Sequence, residues 1–179
     1  EKLCEGYGHQ RREAAMGVYD VASIRFPVHY RAVKGTGKKF VPLDFEEETD
    51  LDTILATHPK GAQYRHLVQG KPFYPLLEDA GGMVLSFPPV INSRALGEVK
   101  TGDDNLFIEV TGHRMELITL VLNIMAVNLA DRGFEIIPVR TSFPYDTALG
   151  RNVTLPYPLK RTQAVTTAQI KQYLGVALT

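Results

Sequence analysis

The chain has 179 residues and a mass of 19.9 kDa, and its 20 basic and 20 acidic side chains give a formal net charge of zero. A hydrophobic content of 44% is typical of a globular protein with a packed core, and it excludes an intrinsically disordered chain. Zero net charge argues against a protein that coats duplex nucleic acid, because such proteins carry an excess of Lys and Arg.

Helices and strands are both predicted in the first 70 residues. In chain order, the predicted elements are the end of a helix at residues 1–10, strands at residues 15–20 and 27–33, and helices at residues 49–57 and 62–69. Thr49 is the predicted N-cap of the helix at residues 49–57, because a hydroxyl before an acidic first turn is a typical helix start. Pro59 is predicted to end that helix, since proline lacks the N–H that a helix interior needs.

The remainder of the chain predicts a hairpin, a long helix and further strands. In chain order, strands are predicted at residues 74–78, 83–87, 106–111, 134–140 and 151–156, a loop at residues 92–104 and a helix at residues 113–131. The turn at residues 79–82 is typical of a β-hairpin. The long helix is apolar on most of its surface, so we expect it to be buried against a sheet and to end near Gly133. The strand at residues 134–140 is also expected to be buried.

Intermixed helices and strands predict an α+β layered domain with mixed β-sheets packed by helices. We expect this domain to span residues 1–160. Residues 161–179 are expected to form a linker and the start of a neighbouring module, where Thr166 and Gln169 have capping-box spacing before a helix that ends at Leu174. The chain is therefore expected to be a piece of a longer protein.

Polar side chains stand inside two apolar strands, and they indicate a candidate site. Ser86 lies in the first of these strands, and Asn92 follows it after two prolines. Glu109 and Thr111 lie two residues apart in the second strand, so they project to the same face. A carboxylate inside such a strand needs a partner or a ligand.

Two interpretations of these residues are open. Glu109 is either a structural carboxylate held by backbone donors or an arginine, or an acceptor on the floor of a pocket. Thr111 is either the N-cap of the long helix or a site residue, and Gly112 allows a ligand to approach the backbone. Leu77 and Pro88 are plausible pocket walls, although each of these residues alone is more often structural.

Conventional catalytic signatures are absent from the sequence. It contains no Gly-x-Ser-x-Gly motif, and residues 35–38 lack the upstream glycine and the following hydroxyl of a phosphate-binding loop. The five histidines lack metal-ligand spacing, and the single Cys4 allows no thiolate zinc site. We therefore expect no bound metal, no nucleophilic side chain and a reducing, cytoplasmic setting. The most apolar stretch, residues 117–129, is too short to cross a bilayer, so no membrane association is expected.

Four motifs, in order and with compatible spacing, resemble the beta subunit of phenylalanyl-tRNA synthetase in its archaeal and eukaryotic form. They are RREAAMGVYD at residues 11–20, KPFYPLL at residues 71–77, VLSFPPVINS at residues 84–93 and LFIEVTG at residues 106–112. The helix through residues 120–133 is also similar to that family. The resemblance covers nearly the whole chain and matches the central B3/B4 module, with residues 161–179 similar to the start of the B5 module.

The resemblance implies an editing domain, which hydrolyses phenylalanine tRNA mischarged with tyrosine. By resemblance, the family's editing-pocket positions are Leu77, Ser86, Glu109 and Thr111, with Pro88, Asn92 and Gly112 adjacent in the motifs. We expect Thr111 and Ser86 to act at the reacting ester and the other five residues to bind the substrate. Several archaeal relatives have Asp in the place of Glu109. Because no nucleophile is evident, the implied reaction is ester hydrolysis by a positioned water.

The same resemblance implies the partners and cofactors. The 3′ end of tRNA(Phe), tyrosine and the synthetase alpha subunit are the implied partners, within a heterotetramer. No cofactor is implied for this chain, whereas ATP and Mg²⁺ are implied for the parent synthetase. Two alternatives remain: a non-catalytic module that binds tRNA or assembles the subunits, and a metal-dependent hydrolase, which the scattered histidines disfavour.

Overall fold

The structure, a computed structural model, describes residues 2–158, 162 and 164–175. Helices span Lys2–Glu5 (α1), Leu51–Thr57 (α2), Pro59–Tyr64 (α3), Arg94–Gly97 (α4), Met115–Ala130 (α5) and Thr167–Leu174 (α6). Strands span Ala14–Asp20 (β1), His29–Val33 (β2), Lys39–Phe40 (β3), Thr49–Asp50 (β4), Tyr74–Glu78 (β5), Val84–Phe87 (β6), Ile91–Asn92 (β7), Leu106–Gly112 (β8), Val139–Ser142 (β9) and Asn152–Leu155 (β10).

A four-stranded antiparallel sheet with the order β2-β5-β6-β7 forms the centre of the fold. Both faces of its middle hairpin are buried. Leu76 and Phe87 belong to one hydrophobic cluster, which includes apolar side chains of α2 and α3. Leu77 and Leu85 belong to a second cluster, which includes Tyr19 of β1. Helices on one face and a second sheet on the other make the layered α+β fold, so the predicted class is confirmed.

A separate antiparallel ribbon, β1 with β8, covers the second face of the central sheet. Its register places Ala15 opposite Thr111 and Gly17 opposite Glu109. Because side chains alternate along a strand, these four residues and Tyr19 share one face of the ribbon. Helix α5 packs against β8. Glu109 of β8 therefore lies between Gly17 of β1 and the central sheet.

The predicted hairpin of β5 and β6 is confirmed, whereas the predicted loop at residues 92–104 contains further regular structure. The turn after β6 includes a cis peptide bond between Pro88 and Pro89, and β7 then pairs Asn92 with Ser86. Ser93 caps the short α4, accepting a hydrogen bond from the Leu96 N–H at 3.2 Å. A serine that supplies a cap explains why a polar sequence is helical here.

The starts of α2 and α3 differ from the prediction. Asp50, not Thr49, caps α2, because its carboxylate accepts a hydrogen bond from the Thr53 N–H at 3.0 Å. Pro59 does not simply follow a helix but begins α3 as its first residue, where its missing N–H costs nothing. His58 lies between the two helices, and its Nδ1 accepts a hydrogen bond from the Lys60 N–H at 3.1 Å.

Replacing His58 with alanine is expected to destabilise the fold by about 2 kcal/mol. The side chain is 1% exposed, caps α3 through Nδ1, and donates from Nε2 to the Leu43 carbonyl oxygen at 2.8 Å. Alanine removes both hydrogen bonds and leaves a cavity. Urea unfolding should show this loss, whereas the exposed His66→Ala control should remain close to the parent; equal stability of both variants would contradict the capping role.

The region around α5 contains two corrections. The helix begins at Met115, and its N-cap residue Arg114 makes no side-chain capping bond, so Thr111 is a strand residue and not a cap. The predicted buried strand at residues 134–140 is wrong, because the strand is Val139–Ser142 and is largely exposed. Apolar character misled the second of these predictions and also the expected burial of the long helix, since much of the α5 surface is accessible to solvent: Val127 is 59% exposed.

The last described segment agrees with its sequence pattern. Thr166 and Gln169 form the predicted capping box at the start of α6, and Gly175 ends that helix with a φ of +66°. The proposed domain boundary at residues 160 and 161 lies outside the described residues. No helix in the described part of the chain is long and apolar enough to cross a membrane.

Candidate functional site

A buried chain of hydrogen bonds links three side chains between the ribbon and the central sheet. The Tyr19 hydroxyl oxygen lies 2.9 Å from Ser86 Oγ and 3.0 Å from Glu109 Oε1. Tyr19 is fully buried, and Ser86 is 2% exposed. A phenol has one proton, so with Glu109 ionised Tyr19 donates to Glu109 and accepts from the Ser86 hydroxyl.

Gly17 makes this arrangement possible. A Cβ atom at residue 17 would lie 2.1 Å from the Tyr19 hydroxyl oxygen and 2.6 Å from Glu109 Oε1, far inside contact distance. Glycine inside a strand often marks a place where another group approaches the backbone closely. Here the approaching groups are the phenol and the carboxylate, so the glycine is part of the site.

The second carboxylate oxygen of Glu109 has no partner. Oε2 is buried and makes no hydrogen bond to any described residue. Burial raises the pKa of Glu109 from 4.5 to about 7, and hydrogen bonds from the Tyr19 hydroxyl and the Gly17 backbone offset part of that rise. Burial, followed by the Glu109 charge, also raises the pKa of Tyr19 well above its usual 10, so Tyr19 stays neutral. A buried acceptor without a partner is rare in proteins, so Oε2 is a candidate contact for a ligand or a water.

A small cavity lies against this carboxylate. Its volume is about 20 Å³, which is room for about one water molecule. The lining residues are Arg11, Ala15, Met16, Ser86, Phe87, Pro88, Pro89, Ile91, Asn92 and Glu109. Four residues that the sequence predicted to share a site are therefore brought together here: Ser86, Pro88, Asn92 and Glu109.

The other three predicted residues do not line the cavity. Leu77 is 4% exposed and packs in the hydrophobic cluster that contains Tyr19. Thr111 lies on the same face as Glu109, opposite Ala15, which is itself a lining residue. Gly112 packs closely against its own chain, because a Cβ there would lie 2.2 Å from the Glu13 carbonyl oxygen.

Sequence reasoning did not single out Tyr19, Gly17 or Arg11 as site residues. The signal for the first two was a glycine inside a strand two residues before a tyrosine, which places both on one face. Arg11 donates from Nη1 to the carbonyl oxygens of Pro89 and Val90 at 2.9 and 3.1 Å. It thereby fixes the turn that covers the cavity, a long-range contact that no local pattern reveals.

A larger apolar groove lies elsewhere, between α5 and residues 156–158. Its volume is about 300 Å³, and its lining contains no carboxylate, histidine or cysteine. Asn123 donates to the Tyr157 carbonyl oxygen at 2.6 Å, and its own Oδ1 is buried without a partner. The described residues include no group of three or more His, Cys, Asp or Glu side chains that could hold a metal ion.

Comparisons with known proteins give one consistent result. No protein-family model matches the chain. The phenylalanine–tRNA ligase beta subunit of Borrelia hermsii is 43% identical over 175 residues, which is 98% of this chain and 31% of that protein. The same subunit of Thermococcus gammatolerans is 46% identical over 144 residues, or 80% of this chain and 25% of that protein.

A solved structure agrees with these relatives. The crystal structure of an N-terminal fragment of the phenylalanyl-tRNA synthetase beta subunit from Pyrococcus horikoshii matches with a TM-score of 0.89 and 39% identity. The match covers 99% of this chain and 50% of that fragment. The chain thus spans less than a third of the length of the curated relatives named above.

Proposed function

Because the chain belongs to the phenylalanine–tRNA ligase beta-subunit family, we propose that it is an editing domain which hydrolyses tRNA(Phe) mischarged with tyrosine. The single observation that supports this most strongly is the unpaired Oε2 of Glu109 beside a cavity. A synthetic pocket for phenylalanine rejects an added hydroxyl poorly, so a second site that binds the hydroxyl is needed.

The contact between Tyr19 and Glu109 supports recognition of a phenol. Inside the protein, the Tyr19 hydroxyl already binds Glu109 Oε1 at a distance of 3.0 Å. The tyrosyl hydroxyl of the substrate donates to Oε2 in the same way. The cavity of about 20 Å³ is smaller than a tyrosine side chain, so the substrate enters only when lining residues move. An analogue without the hydroxyl leaves Oε2 unpaired, which explains selectivity for tyrosine.

The reaction uses a positioned water, because the described residues that line the cavity include no activated nucleophile. The water oxygen attacks the ester carbonyl carbon, the bond to the terminal ribose oxygen breaks, and a proton passes to that ribose oxygen. Ser86 and Thr111 orient the water and the ester, with Pro88 and Asn92 around them. Leu77 and Gly112 support the pocket from behind. Positioning and electrostatics supply the acceleration.

The test is a deacylation assay with Tyr-tRNA(Phe) and Phe-tRNA(Phe). We expect the chain to hydrolyse Tyr-tRNA(Phe) much faster than Phe-tRNA(Phe). Ser86→Ala and Thr111→Val should each slow hydrolysis of Tyr-tRNA(Phe) about tenfold, because each variant loses one hydrogen bond in the transition state. The exposed Ser142→Ala is the matched control. Equal hydrolysis of both tRNAs would refute the proposal, and full activity of both variants would refute these roles.

A second candidate function is a binding or assembly module without catalysis. The apolar groove beside α5 and the exposure of Val127 favour it, because such surfaces pack against other domains or subunits. If the chain folds but L-tyrosine causes no shift of the Glu109 or Thr111 resonances, this candidate is preferred. For the parent synthetase we propose that the alpha subunit supplies the site for ATP and Mg²⁺ and that the assembly is cytoplasmic.

A further inference from the structure

We propose that Tyr19 is a positioning residue for substrate recognition: its hydroxyl binds Oε1 of Glu109 and so leaves only Oε2 to accept a hydrogen bond from the ligand. The inference deepens the proposed function and rests on it. The ligand class is a phenol or another group with one hydrogen-bond donor. None of the sequence patterns pointed to this residue, and the geometry alone carries the assignment.

The first step of the argument is the direction of the hydrogen bonds. Tyr19 has one proton for two neighbours, Ser86 Oγ and Glu109 Oε1. The carboxylate is the stronger acceptor, so Tyr19 donates to Glu109 and the Ser86 hydroxyl donates to Tyr19. Ser86 and Glu109 both line the cavity. Ser86 and Glu109 therefore present acceptors to the cavity, the free lone pairs of Ser86 and the free Oε2, and this part of the wall favours a ligand that brings a donor.

The second step is rigidity. The Tyr19 ring is fully buried and lies in a hydrophobic cluster with Leu77 and Leu85. Its ring centroid is 6.0 Å from that of Phe107, and the Gly17 backbone lies so close to the hydroxyl that a Cβ atom would not fit between them. The phenol thus cannot move away from the carboxylate without disturbing the core. Glu109 is held in one orientation, as a selective acceptor must be.

The third step concerns the charge of Glu109. Among the described residues, the other titratable or charged side chains that face this carboxylate or line its cavity are Tyr19 from β1, Tyr30 from β2 and Arg11. Burial, followed by the Glu109 charge, raises the pKa of Tyr30, although 61% of its surface is exposed. Both tyrosines are therefore neutral between pH 5 and 9. Glu109 alone titrates near pH 7 in this cluster.

The experiment is Tyr19→Phe, which keeps the ring and removes the hydroxyl. Glu109 loses a donor that favours its ionised form, so its titration midpoint, followed by the carboxyl ¹³C resonance, should rise by about one pH unit. The ionised fraction at pH 7 then falls from about a half to about a tenth. The preference for L-tyrosine over L-phenylalanine should fall about fivefold at pH 7 and recover at pH 9.

Tyr74→Phe is the matched control. Tyr74 is also a buried residue, but its hydroxyl bonds to Asp52, so the Glu109 midpoint and the tyrosine preference should not change. An unchanged Glu109 midpoint in folded Tyr19→Phe overturns the positioning role. If the midpoint rises but the parent chain itself shows no preference for tyrosine, the proposed function fails while the coupling of Tyr19 to Glu109 stands.

A second measurement covers the case in which Tyr19→Phe does not fold. In the parent chain, the ¹³Cζ resonance of Tyr19 should shift with a midpoint near pH 7, because its hydroxyl donates to the titrating carboxylate. Glu109→Gln should abolish that step. A Tyr19 resonance that ignores pH between 5 and 9 in the parent chain contradicts the inference.

Discussion

Replacing Glu109 with glutamine is expected to slow hydrolysis of Tyr-tRNA(Phe) by about 10- to 100-fold. A hydrogen bond to a charged acceptor contributes about 1.5–3 kcal/mol, and each 1.4 kcal/mol corresponds to a factor of ten. Glutamine keeps the shape of the side chain but presents a neutral amide to the substrate hydroxyl. Hydrolysis of Phe-tRNA(Phe) should change little, because phenylalanine brings no donor to Oε2.

The same substitution is expected to stabilise the fold above pH 7. The pKa of Glu109 is about 7 when folded and near 4.5 when unfolded, so the folded state binds the proton more tightly. Stability from this group is fully present below pH 4.5 and is lost as the pH rises through 7. At pH 8 the parent chain therefore carries a burial penalty of at most about 3 kcal/mol.

Urea unfolding at pH 4.5 and pH 8 measures this difference. Glu109→Gln should be more stable than the parent at pH 8 by about 1–2 kcal/mol, with a smaller difference at pH 4.5. The exposed Glu98→Gln should match the parent at both values. A variant that is less stable at pH 8 would show that Glu109 is a structural carboxylate, which is the first of the two interpretations that its sequence allowed.

Replacing Gly17 with alanine is expected to damage both the fold and the site. The new methyl group would lie 2.1 Å from the Tyr19 hydroxyl oxygen and 2.6 Å from Glu109 Oε1. Neither group can turn aside, because the phenol is buried and the carboxylate is tied to it. We expect a loss of about 1–3 kcal/mol from overpacking, although alanine normally stabilises a strand relative to glycine. Tyr-tRNA hydrolysis should fall at least tenfold.

Gly37→Ala is the matched control for this variant. Its Cβ would come no closer than 3.2 Å to the Lys34 carbonyl oxygen, in a turn away from the cavity. Unfolding free energy and hydrolysis should both stay near the parent values. Gly17→Ala with unchanged stability and activity would show that Tyr19 and Glu109 have room to separate, and the rigid hydrogen-bond chain would then be wrong.

The sequence predicted the parts of the fold that depend on local chemistry. The hairpin of β5 and β6, the capping box of α6 and the strand β8 follow from turn residues, caps and alternation. Apolar content was a poorer guide, as residues 134–140 show, because an exposed apolar segment and a buried one have the same composition. Pro59 was misplaced since proline suits a helix start as well as a helix end.

The site was partly predictable from the sequence, because a polar residue inside an apolar strand is a local signal. Glu109 and Ser86 stood out as polar residues in apolar strands, and the structure places them on one hydrogen-bond chain. Tyr19, the residue between them, was not selected, because a tyrosine in a strand is ordinary and the glycine two residues before it is a weak signal. Its role arises only when β1 pairs with β8 and the ribbon packs on the central sheet. Local patterns do not reveal which strands pair when those strands are far apart in the sequence.

A structure of this chain with L-tyrosine bound tests the central claim most directly. We predict that the phenolic oxygen of the ligand lies about 3 Å from Glu109 Oε2, while Tyr19 remains bonded to Oε1. The residues around the cavity should move outward to admit the ring. A ligand whose phenolic oxygen contacts other groups and leaves Oε2 unpaired would contradict recognition of tyrosine by Glu109.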